Sequence, residues 1–254
     1  MFGFKKLRRK RLRNRPFPPE WEAILRADVA YFERLPAAEQ DELRGHIQIF
    51  LAEKSFEGCG GLTIDDRMRV VIAAQACILL LHRETDYYPT LQSILVYPHP
   101  FSSQITQRDG AVVTVKQQGR LGESWLRGPV ILAWDDVTHS AHDARDGHNV
   151  VFHEFAHQLD GEWGGMEGAP ALPQASMYSA WARILGEEYE ELIADLKFHR
   201  DNDLDAYGAT NPAEFFAVIT EAFFEKPRQL QKRHPQLYEQ LSLFYAQDPA
   251  NYGH

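Results

Sequence analysis

The sequence predicts a mainly helical α+β fold: an N-terminal helical layer, then a small sheet and the helices of a candidate metal site. Three observations predict it. Apolar residues recur at helical spacing through much of residues 17–90. Three runs rich in β-branched and aromatic residues lie between turn signals from 91 to 134. Two histidines then stand four residues apart in the apolar stretch Val150-Val151-Phe152-His153-Glu154-Phe155-Ala156-His157-Gln158-Leu159-Asp160.

At 254 residues, 44% hydrophobic and 25% charged, the chain has the composition of an ordinary globular protein with a sizeable core. Cys59 and Cys77 are too few for a disulfide framework, and no charged start followed by an apolar segment and cleavage site is visible. The run Val70 to Leu81, interrupted by Gln75, is too short to span a bilayer. A cytoplasmic protein without a transmembrane segment is expected.

Charge is uneven along the chain. The first fifteen residues hold eight Lys or Arg and no acid, so the remainder has 19 bases against 36 acids. That body should repel nucleic acid. Residues 1–16 read as a basic, disordered tail, with Phe2, Phe4 and Leu7 leaving contact with a membrane surface open. Residues 17–254 read as a single domain, with the helical layer in 17–90 and the sheet plus zinc-site helices in 91–254.

Pro19 suits the first turn of a helix running to about Leu35. Pro36 marks a second, Ala37 to about Lys54, striped by Leu43, Ile47, Phe50 and Leu51, which Gly58-Cys59-Gly60-Gly61 ends. Thr63 or Asp65 can cap a third, whose body from Met68 to Leu81 is apolar on nearly every side. Leu91 to Tyr97, Ala111 to Lys116 and Val130 to Trp134 form the expected sheet, the last a candidate for holding substrate backbone by strand addition. His139 and His142 fall in a polar segment expected as loop. Gly161 to Gly168 is too glycine-rich to continue a helix and could shape access to the site. Met177 to about Phe198 is a long helix with Trp181, Ile184, Leu185, Leu192, Ile193 and Leu196 inward.

His153 and His157, at i and i+4, share one helix face and can grip one metal ion. Glu154 beside them cannot easily join the same coordination sphere, but it can take a proton from a metal-bound water, the zinc-peptidase pattern. A catalytic zinc keeps three protein ligands. The best third candidate is Glu214, in Tyr207-Gly208-Ala209-Thr210-Asn211-Pro212-Ala213-Glu214-Phe215-Phe216-Ala217, a turn leading into a helix with Asn211 as N-cap and Pro212 at N1. Glu214 also stands at the capping-box position, where a carboxylate folds back onto the N-cap amide. Glu214, Val218, Glu221 and Glu225 lie on one narrow strip bordered by phenylalanines, which fits a helix pressed against a metal site, Glu221 being placed to support a ligand histidine.

The two segments 149–160 and 207–217 resemble the Mlc titration factor A family, bacterial cytoplasmic zinc metallopeptidases of the gluzincin type, and the resemblance covers everything after the basic stretch. The second segment also looks like the catalytic domain of anthrax lethal factor. The resemblance implies a zincin-like core, His153, His157 and Glu214 as zinc ligands, Glu154 as base and Tyr207 as the phenol that supports the oxyanion. It further implies aminopeptidase-like hydrolysis of peptides, and regulation of glucose uptake through binding the repressor Mlc. Position 218, four after Glu214, is valine and not a carboxylate, which leaves Asp160 and Glu221 as candidate supports for the ligands. The rival reading is a latent or non-catalytic regulator that sequesters a partner.

Overall fold

The computed structural model describes residues 2–100, 106–109, 112–115, 128–163, 165 and 167–253. The chain opens with α1 (Phe2–Arg13), α2 (Pro19–Asp28), α3 (Ala30–Arg34) and α4 (Ala37–Glu53), then β1 (Ser55–Gly58) and α5 (Asp66–Ile78). β2 (Ser93–Tyr97), β3 (Thr106–Asp109), β4 (Val112–Val115) and β5 (Val130–Ala133) follow. The remainder is helical: α6 (Trp134–His142), α7 (Val150–Asp160), α8 (Tyr178–Lys197), α9 (Pro212–Glu225), α10 (Pro227–Arg233) and α11 (Pro235–Tyr245). None of the described helices is long and apolar enough to cross a membrane.

The expected α+β class, mostly helical with a small sheet, is present; several local readings need correction. The basic stretch expected as a disordered tail is helix α1, packed on α4. Arg9 grips both oxygens of Glu53 at 2.9 and 2.7 Å and reaches Asp86 at 2.6 Å, while Lys5 pairs with Asp86 at 2.7 Å. Those carboxylates lie over forty residues downstream, so local composition could not reveal them. The single helix expected from Pro19 to Leu35 breaks at Val29, which is buried with φ −123° and ψ 87°.

The main sheet is parallel, in the order β1-β2-β5, with Ser55 opposite Ser93 and Ile94 opposite Val130. Strand β1 had not been anticipated. Strand β4, expected in that sheet, instead pairs antiparallel with β3, Thr106 facing Val115; positions 111 and 116 lie outside the described residues. Strand β5 is therefore an edge, with β2 as its one partner among the described residues.

Helix α5 starts where Asp65 accepts the amide of Met68 at 2.8 Å, and its residues from Val70 to Ile78 are buried. On α8, Trp181, Ile184, Leu185 and Leu192 are buried as expected, but Ile193 and Leu196 face outward at 40% and 39% exposure. Helix α9 is the most enclosed element: every residue from Ala213 to Glu225 is buried. It lies against α7, with Phe224 5.2 Å from Phe152 and Phe152 5.9 Å from Tyr31, while Phe155 packs 4.8 Å from Tyr88. These aromatic contacts fix the roll of α7 and so decide which side chains it turns away from the core.

Candidate metal centre

The face that α7 turns from the aromatic core carries His153, Glu154 and His157. Asn149 caps the helix, its Oδ1 accepting the amide of Phe152 at 2.9 Å, as its place before the apolar run requires. Helix α9 begins the same way: Asn211 Oδ1 accepts the amide of Glu214 at 3.0 Å, and Pro212 occupies the first turn, where no donor is needed. The capping box does not close, because the Glu214 carboxylate turns to the histidines instead. Its Oε2 lies 3.0 Å from His153 Nε2 and 3.4 Å from His157 Nε2, and the two Nε2 atoms are 3.2 Å apart.

Three donors forming a triangle of these edges suit one metal ion. A tetrahedral centre with bonds of about 2.0–2.1 Å spaces its ligands roughly 3.3 Å apart. The donor set, two imidazoles and a carboxylate, is that of a catalytic zinc site with an open position. Among the described residues it is the one such group of three or more. Two imidazole nitrogens facing one another at 3.2 Å, one ring buried and the other partly so, are poorly served by hydrogen bonding alone, which also favours a shared cation.

Behind the triad, His153 donates Nδ1–H to Glu221 Oε1 at 2.7 Å. The other oxygen of Glu221 accepts the backbone N–H of Asn149 at 2.5 Å. This is the carboxylate–histidine arrangement that fixes a ligand imidazole's tautomer and aim. Asp160, the other candidate support, serves elsewhere, since its Oδ2 accepts the amide of Gly168 at 2.8 Å. It thereby anchors the end of the glycine-rich loop, of which positions 164 and 166 lie outside the described residues. Gly168 has φ +71°, and a Cβ there would come within 2.5 Å of the Pro212 carbonyl, so only glycine lets the loop pass over the start of α9.

The ionisable groups respond to this crowding. Burial opposes charge on His153, but its hydrogen bonds to the Glu214 and Glu221 carboxylates outweigh it and push its pKa up to about 10. Burial would raise Glu214, yet His153 and His157 hold it down at about 2. Burial raises Glu154, keeping its carboxyl more basic than an exposed one.

Tyr207 sits on the short turn Ala206–Thr210, where Asp205 accepts its amide at 2.6 Å. Gly208 lets that turn settle against Leu192 and Val218, giving the valine at 218 its packing role. The Tyr207 ring centroid is 5.9 Å from that of His153 and the side chain is half-exposed. Burial, with Glu214 and Glu154 nearby, raises its hydroxyl pKa. His153, Tyr207 and Glu221 line a cavity of about 360 Å³ whose wall also includes His148, Asp205, Asp136 and His139.

His139 and His142 lie on helix α6 and not in a loop. They contact Asp146 at 3.1 Å and Asp28 at 3.6 Å respectively and are not among the three clustered donors, although His139 lines the same cavity as His153. Sequence reasoning missed the polar clamp at Asn149. Besides capping α7, Asn149 donates Nδ2–H to Gln75 at 2.9 Å and to Glu225 at 3.0 Å, tying α5 and α9 to the start of α7. Its position before the motif signalled the cap, but nothing local signalled the distant acceptors.

A family model described as glucose-regulated metallo-peptidase M90 matches residues 4–246. An uncharacterized protein of Synechocystis is 46% identical over 244 residues, covering 95% of this chain and 89% of the relative. Mlc titration factor A of Serratia proteamaculans is 33% identical over 234 residues, and that of Escherichia fergusonii 32% over 235, each covering 91% of this chain and 87% of the relative. With a match over nearly its whole length, this chain belongs to the glucose-regulated metallo-peptidase M90 family.

Proposed function

We propose that the protein is a zinc-dependent peptidase with a zincin-like core, acting as an aminopeptidase on peptides, in which His153, His157 and Glu214 hold the metal. The observation that carries this reading is the triangle of Nε2 and Oε2 atoms with Glu154 on the same helix face. Bound there, zinc would supply a Lewis acid that acidifies a water and polarises the scissile carbonyl. Glu154, made more basic by burial, takes the proton of the attacking water and returns it to the leaving amine. Tyr207 donates its hydroxyl hydrogen to the developing oxyanion. Glu221 keeps the proton of His153 on Nδ1, so that Nε2 presents its lone pair. The side of β5 away from β2, unpaired among the described residues, offers its hydrogen-bonding groups to an extended peptide.

A mixed peptide library with some N-termini blocked, offered to zinc-loaded protein and to its Glu154→Gln form, tests the proposal. Cleavage of unblocked peptides by the wild type alone is the expected result. Cleavage by the Glu154→Gln form would remove Glu154 as the base, and cleavage of blocked peptides would make the enzyme an endopeptidase.

The relatives called Mlc titration factor A favour a second role, binding of the repressor Mlc and thereby regulation of glucose uptake. Co-purification of Mlc with the Glu154→Gln form would separate that role from catalysis, and failure of Mlc to bind the catalytically active wild type would eliminate it.

A further inference from the structure

Outside the metal centre, one cavity of about 220 Å³ is lined by four cationic side chains and one acid. Arg34, Arg145, Lys226 and Arg228 line it, with Tyr252 as part of the wall and Glu225 as the one acid. Beyond residue 15 the chain has 19 bases against 36 acids, so four cations converging on one cavity runs against the protein's own balance.

Glu225 does not neutralise them. Its carboxylate is turned inward, Oε2 accepting the amide of Gly147 at 3.0 Å and Oε1 accepting from Asn149 at 3.0 Å. Among the described residues, no carboxylate lies within ion-pair distance of Arg34, Arg145 or Lys226.

Several of the cations are held in place. Arg34 donates to the Ala144 carbonyl at 2.9 Å and stacks 4.9 Å over the Tyr31 ring. Arg228 donates Nε–H to the Ala250 carbonyl at 3.1 Å. The stem of Lys226 lies across Gly147, whose φ is +82°, where a Cβ would meet Nζ, Cε and Cδ at 2.8 to 3.0 Å. Guanidinium forks match the oxygens of a phosphate, and the lysine adds a point charge. At about 220 Å³ the cavity falls short of the roughly 300 Å³ of a typical ligand pocket, which suits a phosphate with a small organic group.

We propose that this cavity binds a small phosphate-bearing anion through Arg34, Arg145, Lys226 and Arg228. It lies beside Glu225, eleven residues along α9 from Glu214, about 16 Å away at the rise of a helix, and so is separate from the metal centre.

Calorimetric titration of the metal-loaded protein with inorganic phosphate and with glycerol 3-phosphate, at constant ionic strength set with potassium chloride, tests it. The wild type should show saturable one-site binding of at least one probe. Arg145→Ala/Lys226→Ala should weaken it at least tenfold, and Arg145→Lys/Lys226→Arg should restore it. Arg145 is exposed, so Arg145→Glu alone gives a folded variant in which binding should again be weakened. Absence of saturable heat with both probes would overturn the site. Equal affinity in wild type and the alanine double variant would also overturn it, because it would place the anion elsewhere, the metal included.

Discussion

Glu221 joins the two halves of the metal centre: one oxygen accepts from His153 Nδ1 at 2.7 Å, the other from the backbone of Asn149 at 2.5 Å. The same carboxylate therefore aims an imidazole and pins the start of the helix that bears it.

Replacing Glu221 by Ala should consequently weaken metal affinity by about 10–100-fold, the range for losing such an outer partner. Competition against a chromophoric chelator would measure it. Unchanged affinity would mean that packing of α7 alone aims His153.

In the metal-free protein, His153 is held protonated between Glu214 and Glu221, its pKa pushed up to about 10. Metal can bind only the deprotonated ring, so capture must expel that proton. Between pH 7 and pH 9, below the folded pKa, apparent affinity should rise about tenfold per pH unit, with about one proton released per metal bound. Metal titration in weak buffer followed with a pH indicator would test this, and a flat profile would contradict it.

Tyr207→Phe should lower kcat about 10²-fold, on the scale of a lost oxyanion donor, and leave metal content unchanged. A fall in metal content instead would assign the hydroxyl to the site's assembly and not to turnover.

Phe152 fills the space between Tyr31 and Phe224 and is fully buried. Phe152→Ala should cost about 3–5 kcal/mol in urea unfolding with an unchanged m-value. A loss below about 1 kcal/mol would mean that α7 and α9 collapse into the vacated volume.

Legibility in the sequence followed the range of the interactions. The cap at Asn211, and the faces of α7 and α9, are set within one or two helical turns, and they could be read directly. Whether Glu214 closed its own capping box or faced the histidines could not, because the two outcomes differ only in the position of a helix more than fifty residues away. The order of α1 likewise rests on Glu53 and Asp86, and strand β1 on its partner β2. His139 and His142 were misplaced because the polar sequence of α6 hides a helix whose inward side is only Val137, Ser140 and Ala141. Ile193 and Leu196 satisfied the helical period of α8 yet lie on its outward side.

The burial of α9 along its whole length makes loss of the metal and loss of the fold hard to separate, since one helix supplies Glu214, its neighbour's support Glu221 and much of the core. Catalysis is more expendable. In the proposed reading Glu154 and Tyr207 act on water and substrate without holding the metal, so a lineage could silence hydrolysis by one substitution and still inherit the shape. Descendants that have given up chemistry for a purely regulatory life should therefore carry their changes at positions 154 and 207, with the glutamates of α9 left as they were.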